Sequence, residues 1–171
     1  DGVLNIDFVP IKDSPIVNAI SVVAVLPRTP TPTVTPVCSP TPTFTPTATP
    51  TFTPTATPTP LPFTLRVNAG GAEYVDSLGK TWSADQEYVA GSWGYVAGQR
   101  YSYGIAIAGT EDDKLYQSEH YWGNGGSYLI DLPNGSYRLT LKFAEIYTGA
   151  YAGSRRFSVR AEDAFVITSL D

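Results

Sequence analysis

Residues 1–25 read DGVLNIDFVPIKDSPIVNAISVVAV, and where this stretch belongs decides the fold. Leu4, Ile6 and Phe8 alternate with Val3, Asn5 and Asp7. That period of two predicts a strand with one buried face. Pro10 and Pro15 mark a loop around KDSP. Residues 16–25, IVNAISVVAV, are β-branched and apolar on both faces. Such a run suits a strand buried between two layers. Two strands alone are not stable in water, so residues 1–26 need a sheet built elsewhere.

The stretch that follows cannot supply it. Residues 27–62 hold 12 of the 15 prolines, mostly as Thr-Pro. Proline fixes φ and pushes the preceding residue to extended geometry. The tract therefore predicts a polyproline II rod rather than helix or sheet. Dense Thr with Pro also suits O-linked sugars. Thr31, Thr35, Thr43, Thr47, Thr51 and Thr55 are candidate acceptors, and the setting they imply is extracellular or cell-surface. Cys38, the one cysteine, lies in this tract. It reads as an exposed thiol or as half of a disulfide between chains.

Residues 63–171 supply the sheet. FTLRVNAGG places Phe63, Leu65 and Val67 on one side. SYLIDLPNGSYRLTLKF reads as strand, tight turn and strand, with Asn134-Gly135 as the turn. Tyr137, Leu139, Leu141 and Phe143 share one face there. RRFSVRAEDAFVITSL continues the strand pattern, and no segment keeps a helical period. The predicted class is all-β, a two-sheet sandwich or jelly roll beside an extended Pro/Thr segment.

Composition excludes several functions. Charged residues are 16 % and the net charge is −5, with no basic patch, so nucleic acid is not an expected partner. No apolar run approaches the roughly 18 residues of a membrane span. One Cys and one His cannot form a zinc site or a disulfide framework, and no metal or other cofactor is expected. Methionine is absent even at position 1, which predicts a chain processed or cut from a longer one.

The runs LRVNAGGAEYVDSLGKTWSAD, DKLYQSEHY and NGSYRLTLKFAEIY resemble the malectin and malectin-like carbohydrate-binding family. The opening GVLNIDFVPIKDSPIVNAISV is similar to that family's final two strands. The resemblance implies a malectin-like β-sandwich that holds a sugar with loop aromatics and an acidic residue. It assigns Tyr121 and Tyr147 as aromatic positions, Tyr103 as a looser match, and Asp13 as the acidic position. The family often carries a second aromatic after Tyr147. Thr148 stands there, and Tyr151 is a substitute. The order also departs from the family's, because its last strands come first here. Residues 63–171 thus read as a sandwich lacking its own final strands.

Who receives residues 1–26 is a question of reach. A rod of 36 residues at about 3.1 Å each spans roughly 110 Å, whereas a domain of this size is roughly 35 Å across. A coil of the same length would span about 33 Å. The coil would let residues 1–26 fold back on their own body as a circular permutation, and a slice through tandem malectin-like repeats is a third option, but twelve prolines favour the stiff limit, and hence transfer of residues 1–26 to a neighbouring subunit. Leu4, Ile6, Phe8, Ile16 and Ile20 would form the donated interface, and head-to-tail donation between identical subunits builds a fibre. The leading expectation is a structural subunit of an extracellular filament or surface assembly. The alternative is a carbohydrate-binding module of a secreted or surface protein, with a glycosylated stalk. Glycans, covalent or bound, are partners in both.

Other residues carry less. Trp82, Trp93 and Trp122 read as core or loop anchors before sugar platforms. His120 reads as a hydrogen-bonded or surface histidine before a catalyst. Asn134-Gly135-Ser136 is formally an N-glycosylation sequon. Glu119, Glu145 and Asp131 show no spacing that separates a glycosidase pair from strand-end carboxylates. No catalytic residue is assigned, and an enzyme is not expected.

Overall fold

The computed structural model describes residues 2–25 and 63–171. The Thr/Pro tract lies outside the described residues, and with it the polyproline expectation, the candidate O-glycosylation threonines and Cys38. Among the described residues are thirteen strands and no α-helix: β1 (Val3–Lys12), β2 (Ile16–Val17), β3 (Ala19–Ala24), β4 (Thr64–Asn68), β5 (Tyr74–Val75), β6 (Thr81–Ala84), β7 (Trp93–Val96), β8 (Gln99–Ser102), β9 (Ser118–Tyr121), β10 (Gly126–Asp131), β11 (Tyr137–Lys142), β12 (Arg156–Ala161) and β13 (Ala164–Leu170). One 3-10 turn covers Asp113–Leu115.

The strands build the two-sheet sandwich that the alternation predicts. One sheet runs β13-β12-β1-β10-β7, the other β11-β3-β4-β6-β5, and a small third sheet runs β2-β9-β8. Ile6, Phe8, Tyr128, Ile130 and Val159 of the first sheet meet Ile20, Val22, Leu65 and Val67 of the second in one core. Phe8 stacks on Trp122 with ring centroids 4.8 Å apart.

The N-terminal arm, residues 2–25, lies inside the sandwich of its own chain. β1 pairs antiparallel with β10 on one side and β12 on the other. β3 sits between β11 and β4. Ile6, Phe8, Ile16 and Ile20 are buried, and Leu4 packs against them. Within the single chain the arm thus docks on its own body, the arrangement of a circular permutation. Val23 pairs with Thr64, and the Ala24 amide donates to the Phe63 carbonyl at 2.8 Å, so the residues flanking the Thr/Pro tract are neighbours. Each fully buried apolar side chain of the arm contributes about 1.5–3 kcal/mol to docking, whichever chain supplies the arm.

Two local expectations also change. The run 16–25 is not one strand. Asn18 divides it, and its fully buried side chain donates to the Tyr116 and Ser118 carbonyls and accepts from the Ala144 amide. A buried amide so completely satisfied can stand between two sheets, leaving β2 with β9 and β3 with β11. Nor does Asn134-Gly135 close a hairpin, since β10 and β11 belong to different sheets. The tight hairpin is β12–β13, where Glu162 and Asp163 both take left-handed backbone, φ 51° and 63°. A type I′ turn requires that conformation at both central residues.

Candidate functional site

At one end of the sandwich a cleft of about 360 Å³ is lined by Asp13, Ser14, Tyr101, Glu119, Tyr121, Tyr147 and Arg155. The arm contributes the first two through the β1–β2 loop. Asp13 holds left-handed backbone there, φ 61°, which aspartate tolerates better than most residues. Its carboxylate accepts from the Ser14 amide at 2.6 Å.

The back wall comes from the small sheet. Tyr101 pairs with Glu119, and Gln99 with Tyr121. Residues two apart on a strand share a face, so Glu119 and Tyr121 point into the cleft together. The Tyr121 hydroxyl donates to the side-chain carbonyl of Gln99. The opposite face of β9 turns inward. Ser118 Oγ donates to Asn68 Oδ1 at 3.1 Å, and His120 meets the buried Asp85 carboxylate through Nδ1 at 2.9 Å.

That inner network fixes the wall. Asp85 also accepts from the Tyr128 hydroxyl at 2.8 Å and from the Gly70 amide at 2.7 Å. His120 Nε2 faces the Ala97 carbonyl at 2.9 Å, so both ring nitrogens have a partner. Gly70, within the NAGG run, has φ 71°, and a Cβ there would lie 2.1 Å from the Glu119 carbonyl oxygen. Only glycine allows the backbone this close to β9. His120 is thus a structural histidine, and Trp82 and Trp122 are buried anchors with their indole N–H groups donated to Asp76 and to the Val96 carbonyl.

The third wall is the connection between β11 and β12. Tyr147 is 53 % exposed, and its ring meets Tyr101 edge to face at 6.2 Å. Arg155 donates to Glu145 Oε2 at 2.6 Å and to the Ser14 carbonyl, tying this wall to the arm. Glu119 is only 2 % exposed, and its Oε2 has no hydrogen-bond partner. Burial pushes its carboxyl up to about 7, with Arg155 opposing the rise and Glu145 adding to it.

The cleft gathers Asp13, Tyr121 and Tyr147 from the sequence candidates. Tyr103 is elsewhere. It lines a separate cleft with Asn68, Gly71, Tyr74 and Gln117, because it lies beyond the end of β8. Tyr101, two residues earlier, occupies the cleft instead. Sequence reasoning missed Tyr101 and Arg155. The Tyr-x-Tyr spacing of 101–103 and the paired Arg155-Arg156 were the available signals, but choosing within them needs the pairing of β8 with β9. Glu119 stood in the sequence as a structural carboxylate, and nothing local marked its burial. Chemically the cleft offers three aromatic rings, two carboxyls and a guanidinium. Among the described residues no cluster of three or more His, Cys, Asp or Glu could hold a metal ion.

Comparison with known proteins adds family evidence. The family described as Malectin domain matches residues 63–171. Over 108 residues the chain is 36 % identical to Malectin-A of Xenopus laevis, covering 61 % of this chain and 37 % of that protein. It is 34 % identical to the human protein Malectin over 106 residues, covering 61 % of this chain and 35 % of that one. The chain thus spans little more than a third of the length of these curated relatives. No solved structure matches.

Proposed function

The chain belongs to the malectin domain family, and from that premise we propose that it is a carbohydrate-binding module whose site is the Asp13–Tyr121–Tyr147 cleft. One observation carries the reading: three tyrosines and two carboxyls from separate elements converge on one small cleft. Sugar rings present apolar C–H faces and dense hydroxyl groups. Aromatic faces suit the first, and a carboxylate or guanidinium suits the second through charge-assisted hydrogen bonds. The chemistry is that of holding rather than cleaving, and the family evidence points the same way.

Asp13 accepts from paired hydroxyls at the mouth. Glu119 near neutral pH stands close to half protonated, and so can donate or accept at the floor. The Thr/Pro composition of residues 27–62 supports an extracellular or cell-surface setting. A glycan array tests the reading, followed by calorimetry on the sugar that binds. Tyr147→Ala is expected to weaken that binding at least about tenfold, roughly 1.4 kcal/mol. An array with no retained sugar would end the proposal.

A second reading is assembly by strand donation into a filament. The arm could dock in the same register on another copy, since its contacts do not depend on which chain supplies it. The own-chain Ala24–Phe63 hydrogen bond favours the single module. Light scattering across a concentration series separates the two, with a constant single-chain mass expected.

A further inference from the structure

Arg155 stands one residue before β12, and β12 lies beside β1. The pairing of Lys12 with Arg156 brings Arg155 alongside the β1–β2 loop. Its Nη1 donates to the Ser14 carbonyl, and its Nε donates to Glu145 Oε2 at 2.6 Å. Glu145 in turn accepts from the Tyr147 amide through Oε1 at 2.8 Å. One guanidinium therefore links two separate loops: the arm loop that carries Asp13 and the β11–β12 connection that carries Tyr147. Lys12 adds a second tie between them by donating to the Gly153 carbonyl. Tyr151, further along the connection, lines a separate cleft, which leaves Tyr147 as the connection's aromatic in this one.

The same geometry argues against Arg155 as a sugar contact. Its side chain is only 11 % exposed, and two of its donors are already taken. A planar fork that meets two acceptors at once makes a good brace, which a flexible ammonium cannot copy. Loops fixed before a ligand arrives lose less entropy on binding. Without the brace, a sugar that touches both Asp13 and Tyr147 has to order both loops itself.

Glu119 reports on the brace independently of any sugar. The Arg155 cation opposes the rise of its carboxyl, and Glu145 adds to that rise. Removing the Arg155 charge should therefore push the Glu119 carboxyl further up.

We propose that Arg155 is a positioning residue of the sugar cleft, holding the Asp13 and Tyr147 loops at the separation a sugar bridges. The inference rests on the cleft being a sugar site, and the test keeps the two apart. The full chain and its variants are titrated by calorimetry with α- and β-linked glucose and mannose disaccharides, while carbon NMR follows the Glu119 carboxyl. Arg155→Gln is expected to weaken binding about tenfold and to move the Glu119 titration above about 7. Arg155→Lys keeps the charge and loses the fork. It should bring the titration back while most of the affinity loss remains. Should Arg155→Gln fail to fold, Glu145→Gln loosens the same bridge at its more exposed end, where the side chain is 35 % exposed, and is expected to weaken binding about threefold. Unaltered affinity in the folded variant of this pair, or full recovery of affinity by Arg155→Lys, would overturn the brace while leaving the cleft as a sugar site. Failure of the unaltered chain to bind any of the disaccharides would remove both.

Discussion

The arm, residues 2–25, and the last strand of the body, β13, are both β-structure in a single sandwich, yet they sit at opposite extremes of it. β13 is an edge strand that leaves Phe165 and Val166 58 % and 54 % exposed. Among the described residues the arm supplies seven of the eighteen buried hydrophobic ones, and its β1 and β3 are interior strands of the two main sheets. Without β1, the pair β13-β12 loses its link to β10-β7. Without β3, β11 is cut off from β4-β6-β5. Position in the sheet, not position in the chain, decides which strands hold the fold together. A segment that the sequence separates from its domain by a long tract is the one the domain is built around.

The comparison breaks most easily at Phe8. It is 1 % exposed and packs on Trp122 and Tyr128. Phe8→Ala is expected to cost about 3–5 kcal/mol in urea unfolding, and Phe165→Ala no more than about 0.5 kcal/mol. Equal losses would mean that the arm is no more central than the edge.

A second effect sharpens the seam between arm and body. The Glu119 carboxyl is raised from 4.5 to about 7. In the window between those values the folded chain keeps a proton that the unfolded chain releases. Stability from this group is fully present below about pH 4.5 and is lost as pH rises through about 7, by up to roughly 1.4 kcal/mol per pH unit. Over the whole window that is about 3 kcal/mol. Subtracting the Glu119→Gln stability curve from that of the unaltered chain, measured by thermal or urea unfolding from pH 4 to 8, should give this slope. A flat difference would show that water reaches Glu119 and that the buried floor of the cleft is not dry.

How much of this was legible follows from what is local. The period-two patterns of residues 3–8 and 137–143 announce strands with one buried face, and the resulting sandwich class needed nothing further. Pairing was not legible. Asn134-Gly135 looks like a hairpin and joins two sheets, whereas Glu162-Asp163 carries no glycine and closes one. Burial of Asn18, Asp85 and His120 was equally hidden, because each is satisfied by partners far away in sequence. In the site, Asp13, Tyr121 and Tyr147 entered through family resemblance. Tyr101 and Arg155 depend on the pairing of β8 with β9 and on a loop crossing to Ser14, both non-local. The route of the arm was not legible either: stiffness and docking gain can both be read from residues, but neither says which copy of the body receives the strands.

Exchange of the arm between copies is the next smaller effect. Two differently tagged preparations, mixed at micromolar concentration and captured through one tag, are expected to yield only that tag. The docked arm must expose its central strands before it can leave, and that opening approaches global unfolding. Recovery of both tags would turn the comparison around, making the arm a shared element and moving Asp13 and Ser14 into a neighbour's cleft.

The smallest expected difference lies two residues apart. Tyr101 and Tyr103 have the same side chain and stand on the same stretch, but only Tyr101 faces Glu119 and touches Tyr147. Tyr103 is 44 % exposed beside another cleft. Tyr101→Phe keeps the ring and removes the hydroxyl, so it should alter sugar affinity by about threefold or less. Tyr101→Ala also frees the Tyr147 ring and should weaken binding about tenfold. Tyr103→Ala should leave the affinity unchanged. If Tyr103→Ala is instead the damaging variant, the sugar does not lie against the arm at all, and the site belongs wholly to the body.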